Sequence, residues 1–307
     1  MIRDTDMSLS IVRNHFPIFK FDGRVKWLYN PVLKKRFKNR PEERVRLQWV
    51  EFLLNQTNWK GSRIGFETAV NLRQEEHALR ADLILYDSKL KPLILIECKA
   101  DQISLGSGSA EQAAKYNSEV GAKFVILSNG VSDLFFHKDG KKMHLNELPI
   151  QILKRSEFES SRKARYWSDR GFCGSEMFTI DLLHNFWADH EGSKIRYLNF
   201  RDSLLPLPMD HYYRIYRIGE SEKLAVGFIG FEGIGSFLIA VFNQKGINEA
   251  LFTMNLDQLF LEKKKAGKVY KKGHIEECEI TEKLCDLLKQ FRPDYHQKLT
   301  DEIMKFF

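Results

Sequence analysis

The sequence predicts two domains: an α/β unit over residues 1–150, built on a mixed sheet flanked by helices, and an α+β unit over residues 151–307 with an antiparallel sheet. Three observations support this. In the first half, strand-like segments lie on either side of an amphipathic stretch long enough to be a crossover helix. After about Pro149 the composition shifts, and alternating patterns joined by short turns run from Tyr212 to Asn243. A chain of 307 residues suits two domains of ordinary size.

The elements follow in order. Residues 1–38 read as irregular, with one short strand at Val25–Tyr29. Pro41 opens a helix, because proline suits a first turn, and Val45, Trp49, Val50, Leu53 and Leu54 then recur at helical spacing. The helix should end near Asn58. Strands are expected at Ile64–Val70, Asp82–Tyr86 and Leu93–Cys98, the last two forming a hairpin through the turn Ser88–Pro92. Ser109–Val120 is a second helix, with Ser109 as cap and Gly121 as stop. Lys123–Leu127 and Leu134–His137 are further strands, followed by an Asp139-Gly140 turn.

In the second half, the polar stretch Glu157–Asp169 is a connector or an exposed helix, and Thr179–His190 is helical. Leu204–Asp210 carries two prolines and breaks regular structure. Strands follow at Tyr212–Ile218, Leu224–Phe231 and Ser236–Asn243. Lys263–Lys272 reads as a basic loop and Thr281–Gln290 as an amphipathic helix.

Composition narrows the function. The chain is 43% hydrophobic and 29% charged, ordinary for a soluble globular protein. No apolar run approaches the roughly 20 residues that span a bilayer, and the first residues lack the apolar core of a signal peptide. Cys98, Cys173, Cys278 and Cys285 are scattered, which indicates neither zinc nor a disulfide framework. A reducing cytoplasm is the expected compartment. The formal charge of +7 equals the excess between Arg24 and Arg46, where nine bases meet only Glu42 and Glu43. Such a stretch reads as a phosphate-binding footprint or as a solvated basic face.

The chemistry concentrates in ILIECK, Ile94–Lys99. Strand alternation puts Glu97 and Lys99 on one face and Cys98 on the other. A carboxylate and an ammonium on so apolar a strand must be paired or coordinated. Asp82, at the start of the preceding strand, can reach Glu97 across the hairpin. Two hard carboxylates suit Mg²⁺, which would polarise a scissile phosphate, and Lys99 could then orient an attacking water. A structural ion pair is the other reading of the same residues.

In order, PEERVR (Pro41–Arg46), RADLILYD (Arg80–Asp87), KPLILIECKA (Lys91–Ala100), EQAAKYN (Glu111–Asn117) and GAKFVILSNG (Gly121–Gly130) resemble the PD-(D/E)XK nucleases, most closely the N-terminal nuclease domain of type I restriction enzyme R subunits. The resemblance spans about Pro41–Gly130 and implies a restriction-endonuclease-like fold. It implies that Asp82 and Glu97 hold Mg²⁺, with Mn²⁺ able to substitute, and that Lys99 is the catalytic lysine. It makes Glu43 the helix acid that supports the metal, although the adjacent Glu42 is an alternative. Gln112 and Tyr116 match a Gln-x-x-x-Tyr feature of related nucleases. Four residues apart, they share a helix face, where they touch the metal site or DNA, or simply pack on the sheet. Ala81 replaces the family's proline.

The activity so implied is Mg²⁺-dependent hydrolysis of DNA, endonucleolytic rather than exonucleolytic, in restriction or defence. Lys34, Lys35, Arg36, Lys38, Arg80 and Tyr116 would contact the nucleic acid. Expected partners are DNA, other restriction subunits and a second copy of the chain, with no membrane. The sequence has no GxxxxGK[ST] phosphate loop, so a nuclease module without the helicase motor is implied. The alternative is a module on the same fold that binds nucleic acid or docks a partner without cutting. Two other sequence features stand out. Ser107-Gly108-Ser109 reads as a flexible loop beside the site. Tyr212, Tyr213 and Tyr216, with Arg214 and Arg217, form a half-buried strand or a stacking platform.

Overall fold

The structure, a computed structural model, describes residues 8–22, 25–70, 79–139, 142–145, 153, 162–174, 180–188, 193–200, 209–231, 233–271, 273–290 and 294–307. The chain divides into two compact units, residues 1–160 and 161–307.

The first unit is built on a seven-stranded sheet. Its strands are β1 (Ser8–Leu9), β5 (Ile64–Val70), β6 (Leu79–Tyr86), β7 (Pro92–Cys98), β8 (Phe124–Ser128), β9 (Ser132–Asp139) and β10 (Lys142–Leu145). The order is β1-β9-β8-β7-β6-β5, with β10 also pairing β9. The β7–β8 pair is parallel and every other pair in this sheet is antiparallel. That parallel pair is joined by helix α2 (Ser107–Val120), so the sheet is mixed, as expected. Asp87 shapes the β6–β7 hairpin by accepting hydrogen bonds from the Lys89 and Lys91 backbone N–H groups. Helix α1 (Pro41–Gln56) begins at the predicted proline and buries Val45, Trp49, Val50 and Leu53. Helix α2 packs Ala113 and Tyr116 against Ala81, Ile84, Leu95 and Val125 of the sheet.

Three expectations for this unit change. Residues 18–38 are not irregular. They form a second antiparallel sheet of β2 (Ile18–Asp22), β3 (Val25–Asn30) and β4 (Lys35–Lys38). Its strands are four to six residues long and rich in lysine and arginine, so periodicity showed only the middle one. Ser109 is not the cap of α2. The helix starts at Ser107 and is preceded by Gly106 in extended conformation, so Ser107–Ser109 are its first turn rather than a loop. Packing of the rest of α2 outweighs the weak helix preference of Ser-Gly-Ser. The expected Asp139-Gly140 turn lies partly outside the described residues.

The second unit is a seven-stranded antiparallel sheet in simple chain order. Its strands are β11 (Ser193–Leu198), β12 (His211–Arg217), β13 (Glu222–Phe231), β14 (Gly235–Gln244), β15 (Ile247–Asn255), β16 (Ala266–Lys271) and β17 (His274–Glu279). Its helices are α3 (Ala164–Ser168), α4 (Ile180–Trp187), α5 (Leu256–Leu261), α6 (Glu282–Leu287) and α7 (Tyr295–Met304). The central strands are covered on both faces, so β13 is buried almost throughout. Gly230 shows how closely the layers approach: a Cβ there would lie 1.8 Å from the carbonyl carbon of Cys173. Tyr212, Tyr213, Tyr216 and Arg214 are all buried, so this strand is structural and offers no stacking platform. Arg214 donates to the Ala188 carbonyl (2.7 Å) and the Ser193 hydroxyl (2.8 Å) and lies beside the Phe186 and Trp187 rings.

Here too the sequence reading needs correction. Ala266–Lys271, read as part of a basic loop, is a strand paired on both sides. Lys268 is exposed, Val269 is buried and Tyr270 and Lys271 are half-buried, so the strand is covered on both faces, which the run of lysines concealed. The strands β11 and β17 and the helix α7 had no clear signal. The expected break at Leu204–Asp210 and the start of the connector at Glu157 fall largely outside the described residues. What is described of that connector is not all polar surface, because Trp167 in α3 is fully buried.

Candidate active site

The β6–β7 register pairs Leu83 with Ile96, and one further step sets Asp82 across from Glu97. The two carboxyls therefore lie on one side of the hairpin. Asp82 Oδ2 accepts the Cys98 backbone N–H at 2.7 Å, which ties the carboxylate to the end of β7. Glu97 Oε1 pairs with Lys99 Nζ at 3.0 Å. Lys99 Nζ also donates to Gln112 Oε1 at 2.7 Å, and Gln112 Nε2 donates to the Tyr116 hydroxyl at 3.1 Å. The i,i+4 spacing on α2 thus places Gln112 over the lysine while Tyr116 anchors it in the core. Tyr116 is buried and reaches the site only through its hydroxyl.

The first helix brings an acid and a base. Glu43 is buried, whereas Glu42 is exposed yet still within electrostatic reach of Asp82. Arg46, one turn on, belongs to the basic stretch of the sequence but is not on the surface; its side chain is only 11% exposed. Arg46 Nη1 lies 2.7 Å from Glu43 Oε2 and 3.0 Å from Glu67 Oε1, and Arg46 Nε lies 2.9 Å from Asp82 Oδ1. Arg44 is buried as well, so the basic stretch is not one continuous solvated face.

Sequence reasoning missed Arg46 and Glu67. Arg46 left a signal, since it sits three residues after Glu43 on an otherwise apolar helix face. Glu67 left less. It lies in β5 with φ 46°, a left-handed conformation that is rare for a non-glycine residue and costs on the order of 1–3 kcal/mol. Its neighbours Phe66 and Thr68 pair regularly with Leu83 and Ala81, so the irregularity is confined to the residue that holds Arg46.

Burial dominates the electrostatics. It raises the Glu97 carboxyl to about 7, and the nearby Asp82 charge adds to the effect against Lys99. Burial likewise raises Glu43 to about 7, opposed by Arg46. Asp82 is also raised by burial, against the pull of Arg46 and the Cys98 N–H. The Cys98 thiol is pushed well up by burial, so it is an inert core group.

The donors present are oxygen atoms of carboxylates, the class that Mg²⁺ prefers. Glu97 Oε2 and Glu43 Oε1 are buried and have no hydrogen-bond partner, so two acceptor positions are open within the cluster. Among the described residues no three His, Cys, Asp or Glu side chains form a ready metal cage. Mg²⁺ does not require one, since one or two carboxylates with waters and a substrate phosphate suffice. On donor chemistry the residues fit a hard divalent ion.

The predicted nucleic-acid contacts sit on different elements. Lys34, Lys35, Arg36 and Lys38 are exposed on the small sheet and its turn, not on the sheet that carries the acids. Arg80 is exposed and approaches Glu67 at 3.9 Å. No helix is long and apolar enough to cross a membrane among the described residues. No curated protein matches the chain. Residues 41–149, which carry every acid, the lysine and the glutamine of this site, match the family described as the N terminus of the type I restriction enzyme R protein.

Proposed function

We propose that residues 41–149 are a PD-(D/E)XK-type nuclease that hydrolyses DNA phosphodiester bonds with Mg²⁺, and that the exposed basic side chains of residues 34–38 hold the DNA backbone. The observation that carries this reading is the position of Lys99, fixed between Glu97 Oε1 and Gln112 Oε1 beside a Glu97 oxygen that has no partner. A buried carboxylate oxygen without a protein partner, next to that lysine, is an acceptor a bound ion could use.

Asp82 and Glu97 would hold the ion, with Glu43 supporting it from α1. The ion would supply charge stabilisation to the scissile phosphate. Lys99 donates a hydrogen bond to the attacking water and offsets the negative charge that develops as its proton leaves. Gln112 keeps the flexible lysine side chain in that position. Lys34, Lys35, Arg36 and Lys38 contact phosphates without reading bases. The family match supports DNA and other restriction subunits as partners.

The test is cleavage of plasmid DNA by the full chain. Cleavage should require Mg²⁺ or Mn²⁺ and stop with EDTA, and Glu97→Gln and Lys99→Ala should each lower it by about 100-fold or more. Activity that persists in both variants would place the chemistry elsewhere. DNA binding without cleavage by the wild-type protein would make the unit a binding module.

A further inference from the structure

The cation that organises these acids in the structure is a side chain. Arg46 reaches them through two separate parts of its guanidinium: Nη1 hydrogen-bonds Glu43 and Glu67, and Nε lies 2.9 Å from Asp82 Oδ1 as an ion pair without hydrogen-bond geometry. Asp82 in turn has one oxygen on Arg46 and the other on the Cys98 N–H. A divalent ion entering the cluster would meet Glu97 Oε2 and Glu43 Oε1, buried acceptors without a protein hydrogen bond. It would find neither oxygen of Asp82 open.

We infer that Arg46 is a resident cation that competes with the divalent ion for Asp82. Arg46 holds the acids together in the metal-free protein and yields Asp82 Oδ1 when the ion binds. The inference rests on the metal-dependent reading above. The two-part contact makes the exchange local. Release of the Nε contact leaves the Nη1 contacts in place, so Arg46 stays anchored on Glu43 and Glu67. A small doubly charged ion sits about 2.1 Å from a carboxylate oxygen, closer than a guanidinium nitrogen at hydrogen-bond distance. Both cannot occupy Oδ1 in its present geometry without strong repulsion.

Arg46 is therefore a positioning residue, and its effect should appear in metal affinity rather than in chemistry alone. Metal competition also explains why Glu67 accepts an unfavourable backbone conformation: its carboxylate is one of the two anchors that keep the displaced arginine in place.

The experiment measures Mn²⁺ binding to the full-length protein by electron paramagnetic resonance, with titration calorimetry as a check. Folding of each variant is monitored by circular dichroism. Arg46→Met removes the charge but keeps much of the bulk, and it should bind Mn²⁺ about tenfold more tightly than wild type. Adding Glu97→Gln to that variant should abolish the gain and so locate the ion. Glu67→Gln is the second variant, for the case in which Arg46→Met does not fold. It loosens Arg46 without touching Asp82 or Glu97, and it should also tighten Mn²⁺ binding. Equal or weaker binding by the folded variants, with wild-type binding still dependent on Glu97, would overturn the role of Arg46 and leave the nuclease reading standing. Absence of Mn²⁺ binding in wild type and variants alike would overturn both.

Discussion

At the scale of single residues, burial without full compensation recurs outside the site as well. Asp133, in β9, is fully buried, and its Oδ2 accepts the Ile11 backbone N–H at 3.0 Å. Burial raises its carboxyl to about 6, against the Ser128 hydroxyl and the Ile11 N–H, which favour the charged form. Because the folded-state value lies above the unfolded one, the folded chain binds this proton more tightly. Its contribution to stability is therefore greatest below about pH 4 and is lost as the pH rises through about 6. A gap of roughly two pH units corresponds to about 3 kcal/mol. Asp133→Asn should flatten that segment of the stability profile, measured by urea denaturation between pH 4 and 7. Parallel profiles for the two proteins would show that Asp133 titrates normally. Glu43 and Glu97 were found as acids from their motifs, but their buried, half-paired state was not legible, because it depends on what α1 and β5 place around them.

At the scale of elements, the loop after β8 and the basic strand β4 each carry a prediction. Gly130 has φ 74°, and a Cβ there would meet Gln48 Oε1 at 2.8 Å and Val45 Cγ2 at 3.3 Å on α1. Gly130→Ala should destabilise the first unit by about 1–3 kcal/mol, read as a lowered unfolding midpoint; an unchanged midpoint would mean that α1 moves aside without cost. For β4, replacing Lys34, Lys35, Arg36 and Lys38 by alanine should weaken binding to all DNA sequences alike. Each lost phosphate contact should reduce the slope of log affinity against log salt by about 0.9 for duplex DNA. An unchanged slope would return these side chains to plain surface. The long, strongly patterned elements α1, β6, β7 and α2 were readable because each carries several apolar residues at one period. By contrast β2, β4, β11 and β17 are short or charged, and partner strands rather than their own sequence define them.

At the scale of the whole molecule, the described residues of the second unit give no acid pair on facing strands. Two of its buried polar groups find partners inside the unit: Arg214 donates to the Ala188 carbonyl at 2.7 Å, and the Tyr216 hydroxyl lies 2.6 Å from His296 Nδ1. We propose that it serves binding or assembly. A protein ending at Ser160 should fold and keep weak metal-dependent cleavage, and residues 161–307 should unfold as a separate cooperative unit in calorimetry. A single transition for the full chain together with an unfolded 1–160 fragment would mean that the halves stabilise each other. The antiparallel character of this unit was legible from the alternation in β12, β13 and β14. Its full extent was not, because the lysine-rich β16 and glutamate-rich β17 resemble loops until they are paired.

The pairing of β1 with β9 sets a schedule for synthesis. Ser8 and Leu9 pair with Asp133 and Ser132, so this segment waits for one made more than a hundred residues later. At about 5–20 residues per second the delay is on the order of ten seconds. During that interval α1, β6 and β7 already exist, and the acids can meet before the sheet edge beside β9 is closed. The strand left without its partner through that interval is β1, whose pairing closes only when β9 emerges.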